Sequence, residues 1–305
     1  MEPTTPPHDR DAGRTPTVHS TRTLRFDGDE VTKRFRGEDG AERAAAEWRA
    51  LRLLHRHAPG LAPEPLSAPP TADRPHVVMS RLDGLPLRGT PVDGRRLRAL
   101  AAAVTRLHTA VPAHEVAALT PRPGGPDQLA AEIRVLAPHV RRLPAARAAG
   151  RETTDMDSGP RIVRAMDEGL AWLDTLEPVA GAFRRAADVP AVLGHGDGNL
   201  ANYLWDGTRV AVLDFEFAGA ADRPLELAEI TEHVAAWTGP PLDAGAFLGR
   251  FDLTPGERRR LTLCRRLLAL HWLCRLALDD PARPRNPPGT AGRQAVRLEA
   301  LLAGE

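Results

Sequence analysis

"HGDGNLANYLWDGTRVAVLDFE", residues 195–216, is the stretch on which the reading of this chain turns. The 305-residue sequence holds only three asparagines, and two of them, Asn199 and Asn202, fall here. Tyr203, the sole tyrosine, follows directly. Asp206-Gly207 is a hairpin signal between the strand-like runs NYLW and RVAVLDFE. PAVLG, a short apolar run, leads into the stretch. The segment therefore reads as a polar loop on a small hairpin, with helical patterns on either side. A polar loop held by a rigid scaffold is where chemistry concentrates.

Three rival motifs fail on this stretch. A calcium loop starting at Asp197-x-Asn199 would place Ala201 at its fifth position and lacks the required glycine. Gly196-x-Gly198-x-x-Ala201 meets a loose dinucleotide fingerprint, but that fingerprint needs a full helix after the glycines. Asp206-Gly207 and a new strand arrive instead. Neither G-x-S-x-G nor H-E-x-x-H occurs, so serine hydrolase and zincin readings have no starting point.

Phosphoryl transfer does fit. Asp197 and Asn202 have the D-x-x-x-x-N spacing of a kinase catalytic loop, and Asp214 closes the second strand, where a metal-binding aspartate belongs. An acceptor hydroxyl needs a carboxylate to orient it and take its proton, the role read for Asp197. Magnesium beside a triphosphate needs hard oxygen ligands, read as the Asp214 carboxylate and the neutral Asn202 amide. His195 reads as a brace that hydrogen-bonds the loop.

Composition sharpens the reading. Of 41 basic residues, 40 are arginine and one is lysine, Lys33, on the strand-like run VTKRF. A lysine kept where arginine was freely available points to a place a planar guanidinium does not suit. Glu47 follows on GAERAAAEWRALRLLHRH, a helix with Trp48, Leu51 and Leu54 at helical spacing. A strand lysine that binds phosphates and pairs with a helix glutamate is a kinase arrangement.

Outward from these motifs, the chain falls into two differently built parts. Strand-like patterns run from about 17 to 35 and over His76–Met79, whereas helical segments dominate afterwards: Gly94–Thr109, Asp127–Ala149 and Pro160–Leu176. Helical patterning resumes at PLELAEITEHVAAW and at ERRRLTLCRRLLALHWLCRLALDD. The expected organisation is a disordered leader over 1–16, a nucleotide-binding N-lobe over 17–83 and a helical C-lobe over 84–305. A net charge near +1 gives no electrostatic reason to expect nucleic acid or a membrane surface. Cys264 and Cys274 match no zinc or C-x-x-C pattern, and a reduced, cytoplasmic protein is the simplest reading. Oligomeric state is not legible.

The sequence resembles the aminoglycoside phosphotransferase family, a branch of the protein-kinase-like fold that also includes choline kinases. HGDGNLAN is similar to that family's H-G-D-x-x-x-x-N, and LDFEFAGAADRPLELA to its segment from the metal aspartate onward. LRALAAAVTRLH resembles its helix ending in Leu-His, and VVMSRLDGLPL its interlobe linker. The resemblance covers roughly residues 24–235. It implies an α+β, bilobal protein-kinase-like fold with a small, shortened β-rich N-lobe and a larger, mainly helical C-lobe. By the same resemblance, Mg2+ and ATP or GTP serve as cofactor and co-substrate, the acceptor is a small-molecule hydroxyl such as that of an aminoglycoside or other antibiotic, and Ser80 to Leu82 offer backbone groups to the base.

Departures from the family set further expectations. No glycine-rich loop precedes Lys33, so the nucleotide lid is expected to be shortened or absent. Glu226 stands where the family has aspartate, read as a structural position. Glu216 reads as a second metal-shell acid or a hairpin-end charge, and Asp222 as loop bracing or function. Between 206 and 232 there are seven acids against two arginines, but from 240 onward 11 arginines against seven acids. The acceptor side thus leans toward a neutral or anionic hydroxyl compound. A nucleotide-binding pseudo-enzyme is the alternative from another class. A protein-directed kinase ranks last, because the chain from Asp214 to PLELAE leaves no room for an activation segment.

Overall fold

The computed structural model describes residues 17–18, 22–68, 74–142, 158–176, 181, 183–280 and 282–304. The expected leader, 1–16, and the 143–149 end of the expected Asp127–Ala149 helix lie outside the described residues.

The N-terminal part is an antiparallel sheet in the order β1-β2-β3-β5-β4. Its strands are β1 (Thr17–Val18), β2 (Arg22–Asp27), β3 (Glu30–Phe35), β4 (Pro65–Ser67) and β5 (His76–Ser80). Gly28, at φ 54°, makes the tight β2–β3 turn that Asp27-Gly28 signals. Alternation along β3 buries Lys33 and Phe35 on one face. Against this sheet packs α1 (Gly40–His57), which buries Ala50, Leu51 and Leu54. Glu47 lies on the same face, one turn before Leu51, so the period that hides the leucines also carries a carboxylate to Lys33. β1 pairs with β2, Val18 opposite Thr23. The expected shortened or absent lid falls on the β1–β2 connection at 19–21, which lies outside the described residues.

The C-terminal part is mainly helical. α2 (Gly94–Ala110) starts at Asp93, whose side chain accepts the Arg95 and Arg96 amides at 3.0 and 2.9 Å. α3 (Ala113–Ala117), α4 (Pro126–Arg141) and α5 (Ser158–Asp174) follow. After the strands described below come α6 (Arg223–Glu232), α7 (Ala244–Leu248), α8 (Pro255–Ala277) and α9 (Thr290–Ala303). α8 opens with a capping box between Thr254 and Glu257. Ile133, Met166, Leu270 and Leu298 form the centre of a core shared by α4, α5, α8 and α9. A separate, continuous core runs from Leu51 and Val77 under the sheet through Leu100 and Leu107 on α2 to Val212. It makes the sheet and the helical body one packed unit at this seam. No described helix is long and apolar enough to cross a membrane. Cys264 and Cys274 are both buried and form no disulfide.

His108, at the end of α2, is buried, and its Nδ1 has no hydrogen-bond partner. Burial pushes its imidazole from 6.5 down to about 4, opposed by Glu226 and assisted by Arg223. The unfolded chain therefore takes up a proton that the native state refuses, so stability falls as pH drops from about 6.5 toward 4. At pH 5 this one group is expected to remove about 2 kcal/mol. Melting curves between pH 7 and 5 should fall less steeply for His108→Leu than for the wild type. Equal slopes would refute the assignment.

Candidate active site

Everything polar in the opening stretch hangs on one excursion of the chain. β7 (Ala191–Gly194) pairs antiparallel with β10 (Gly219–Asp222), and Gly194 lies opposite Gly219 at its mouth. Between them the chain runs out through a loop at 195–199 and a 3-10 turn, Leu200–Asn202. β8 (Tyr203–Trp205) and β9 (Val210–Val212) then form the hairpin, and residues 213–218 return to β10. The 206–209 connection is a four-residue turn closed by Asp206, which accepts the Thr208 and Arg209 amides at 2.8 Å each. β6 (Leu85–Pro86) adds a third strand to the hairpin, tying the linker after β5 to it. Tyr203 is fully buried in the core, so the lone tyrosine serves packing.

Inside the loop the scarce residues hold one another. Asn199 Oδ1 accepts the Ala201 amide at 3.1 Å and caps the 3-10 turn. Asn202 Nδ2 donates to Asp197 Oδ2 at 2.9 Å, and the Asn199 amide donates to Asp197 Oδ1 at 3.0 Å. The Asp197 carboxylate is thereby aimed while its side chain keeps 27 % of its surface exposed. His195 is buried beneath the loop, with Nε2 2.6 Å from Leu213 O and Nδ1 2.8 Å from Asp197 O. It ties the Asp197 loop to the residue just before Asp214, which is the bracing role expected of it. Phe215 meets the His195 ring edge-on at 4.9 Å. Glu226 accepts the His195 and Gly196 amides at 2.7 and 3.2 Å, a structural use of this position.

Asp214 is the only described non-glycine residue with positive φ, at 69°. Its Oδ1 lies 2.5 Å from Lys33 Nζ and its Oδ2 2.7 Å from Arg22. Lys33 also pairs with Glu47 and lies 3.1 Å from Glu216 Oε2. Arg22 reaches Glu216 Oε1 at 3.0 Å, and Arg43 approaches Oε2 at 3.5 Å. Burial alone would push the Lys33 ammonium down, but Glu47, Asp214 and Glu216 together hold it well above its usual range. For Asp214 burial would raise the carboxyl, and Lys33 and Arg22 more than offset it, so the group is held below the usual aspartate value. Lys33, Glu47, Asp214 and Glu216 are thus one charged cluster joining β3, α1 and the hairpin.

The donor set suits a hard cation. Glu47, Asp214 and Glu216 each offer an oxygen, all within 4.8 Å of one another. Glu216 Oε2 is buried without a hydrogen bond, balanced only by the ammonium and guanidinium beside it. Asn202 stands in the same excursion, bonded to Asp197. Ser80 ends β5, its amide donating to Glu64 O at 2.9 Å, and Arg81 N–H donates to Asp29 O at 2.7 Å. Leu82 follows them in the linker toward β6. Asp222 caps α6 at the Leu225 amide (3.0 Å) and pairs with Arg260 (3.1 Å), a bracing geometry.

Three contributors escape sequence reasoning. Arg22 is one of 40 arginines with nothing local to distinguish it. Arg122 is buried and clamps Glu226 (2.7 Å) and Glu229 (3.0 Å). His233 directly follows α6; its Nδ1 accepts the Ala235 amide at 3.1 Å, so the ring proton sits on Nε2, 3.8 Å from Asp197 Oδ1. Burial pushes His233 down to about 4, against Asp197 and with Arg88 nearby, so the ring is neutral near pH 7.

A family model described as the phosphotransferase enzyme family matches residues 16–263. No curated protein sequence matches the chain. Among solved structures, a choline/ethanolamine kinase family protein from Mesorhizobium loti is 17% identical, with a TM-score of 0.57 over 97% of this chain and 90% of that one. Choline kinase LicA from Streptococcus pneumoniae is 12% identical, with a TM-score of 0.56 over 95% and 92%. Aminoglycoside 2'-phosphotransferase-IIIa, solved with GDP, is 16% identical, with a TM-score of 0.60 over 97% and 95%. The small antiparallel sheet and mainly helical body are therefore the kinase-like fold.

Gly198 is where the loop touches α6: a Cβ there would sit 2.0 Å from Glu229 O and 2.6 Å from the Ile230 amide nitrogen. Backbone on both sides has nowhere to yield. Gly198→Ala is expected to cost on the order of 3 kcal/mol and to displace Asp197. Urea unfolding reads the first effect; a variant of wild-type stability would contradict this packing.

Proposed function

The chain belongs to the phosphotransferase enzyme family, and on that premise we propose that it moves the γ-phosphoryl group of ATP or GTP to a hydroxyl group of a small molecule. The observation that carries this reading is the pair of contacts at Asp214. One excursion of the chain brings that carboxylate to the ammonium of Lys33 on β3, while the same excursion holds Asp197 aimed and partly exposed. Asp197 orients the acceptor hydroxyl and takes its proton. Lys33, kept in place by Glu47, faces the phosphates. Asp214 and Asn202, with Glu216 beside them, are the oxygen donors for Mg2+, which when bound neutralises charge on the transferring phosphates. Ser80 and Leu82 in the linker present backbone groups to the base.

On the acceptor side, charge pairing favours a neutral or anionic compound over a polycation. All seven acids between 206 and 232 have basic partners. Asp206 pairs with Arg209 (3.1 Å), Asp214 with Lys33 (2.5 Å) and Glu216 with Arg22 (3.0 Å). Asp222 pairs with Arg260 (3.1 Å), Glu226 and Glu229 with Arg122 (2.7 and 3.0 Å), and Glu232 with Arg265 (2.7 Å). Next to Asp197 stands His233, a neutral donor suited to a hydroxyl oxygen. The solved relatives are named for choline and for aminoglycosides, so the fold itself does not choose the acceptor.

Nucleoside diphosphate release with a panel of neutral, anionic and cationic hydroxyl compounds tests the reading. Asp197→Ala is expected to lower kcat by at least about 10^3-fold while nucleotide binding persists. Nucleotide binding without turnover on any acceptor would favour the pseudo-enzyme instead.

A further inference from the structure

Three cations and three carboxylates meet where β3 and α1 face the return arm of the hairpin, and Asp39 also pairs with Arg43 at 3.1 Å. Arg22, Lys33 and Arg43 face Glu47, Asp214 and Glu216. Both oxygens of Asp214 are engaged, Oδ1 by Lys33 at 2.5 Å and Oδ2 by Arg22 at 2.7 Å. A metal ion at this carboxylate meets a cation already paired with each oxygen and competes with both. Lys33 is the harder to move: it is 3 % exposed and also bound to Glu47. Arg22, with 24 % of its side chain exposed, spans Asp214 and Glu216 with its two terminal nitrogens. A guanidinium bridging two carboxylates two residues apart occupies the position a dication shared by them would take.

Arg22 also has a particular address. It is the first residue of β2, beside the turn end of the short hairpin with β1, and the connection at 19–21 lies outside the described residues. The sequence from Thr17 to Asp27 has no glycine, the residue that lets a backbone approach phosphates most closely. A planar fork of N–H donors is the side chain best matched to phosphate oxygens.

We propose that Arg22 is a placeholder cation that exchanges partners. In the nucleotide-free protein it holds the space between Asp214 and Glu216; when metal and nucleotide enter, it releases both carboxylates and turns its donors to the phosphates. It thus does with one side chain what a glycine-rich loop does with backbone amides. This rests on the phosphotransferase reading above, and it adds a determinant of nucleotide and metal affinity.

The exchange makes a prediction of opposite signs, which a purely structural arginine would not. Mn2+ binding to the full chain without nucleotide is followed by electron paramagnetic resonance, and binding of a non-hydrolysable ATP or GTP analogue with Mg2+ by calorimetry. Arg22→Ala should bind Mn2+ about tenfold more tightly, because the competing cation is gone, and the analogue about tenfold or more weakly. Arg22→Lys, which keeps the charge but cannot span both carboxylates, should fall between the wild type and Ala on both scales, and it decides the matter if the alanine variant does not fold. Unchanged affinities, or both moving the same way, overturn the exchange. If the wild type binds Mn2+ but neither nucleotide analogue, the phosphotransferase reading falls together with this proposal; if wild type and variants bind nucleotide equally, only the exchange falls.

Discussion

The buried ammonium of Lys33 is the constraint around which the molecule is organised. A charge 3 % exposed is tolerated only if oppositely charged groups surround it, and here three carboxylates come from two separate segments. Glu47 arrives on α1, while Asp214 and Glu216 arrive on the return arm of the hairpin excursion. Removing any one leaves the others with an uncompensated charge in a poorly solvated place. The sheet and the helical body are thereby held in one relative position by chemistry as well as by the shared core. The same pairs that fix the architecture lie at the proposed site.

Backbone geometry does the remaining positioning. β7 and β10 clamp the two ends of the excursion, and Leu213 N–H donates to Asn202 O at 2.8 Å across its middle. His195 adds its own bond to Leu213 O, just before the residue that must turn. Asp214 then takes a left-handed conformation, which costs a non-glycine residue on the order of 1 kcal/mol. Fixed strands, a buried imidazole and two cations on its oxygens over-determine that conformation. Its use is directional, since it points the carboxylate out of the hairpin toward Lys33.

Most of this was legible wherever a residue type was scarce or a period was long. Lys33, Asn199, Asn202 and Tyr203 stood out because the chain has almost no others of their kind, and α1 appeared with the expected bounds because eighteen residues carry a strong apolar period. Glu47 followed from that period, which places it on the leucine face. Arg22, Arg122 and His233 did not emerge. Each acts through a long-range contact, such as Arg22 to Glu216 across 194 residues, and local pattern does not report sequence separations of that size. Abundance hides them further: one arginine among 40 carries no signal until its partner is known.

That abundance also has a physical consequence. Guanidinium groups remain charged when buried and pair carboxylates through several donors, so a chain rich in arginine can fasten acidic helices from beneath. α6 is fastened this way: Arg122 holds Glu226 and Glu229, Arg260 holds Asp222 at its start, and Arg265 and Arg297 hold Glu232 at its end. Lysine, a compact and more strongly hydrated point charge, remains at the buried point where Glu47, Asp214 and Glu216 converge. Neutralising the acids of α6 has a second effect beyond stability. It leaves Asp197, with 27 % of its side chain exposed, as a carboxylate that among the described residues pairs with no arginine or lysine, the neutral His233 standing 3.8 Å away. Arginine pairing thus sets Asp197 apart from the neutralised acids of the helix beside it.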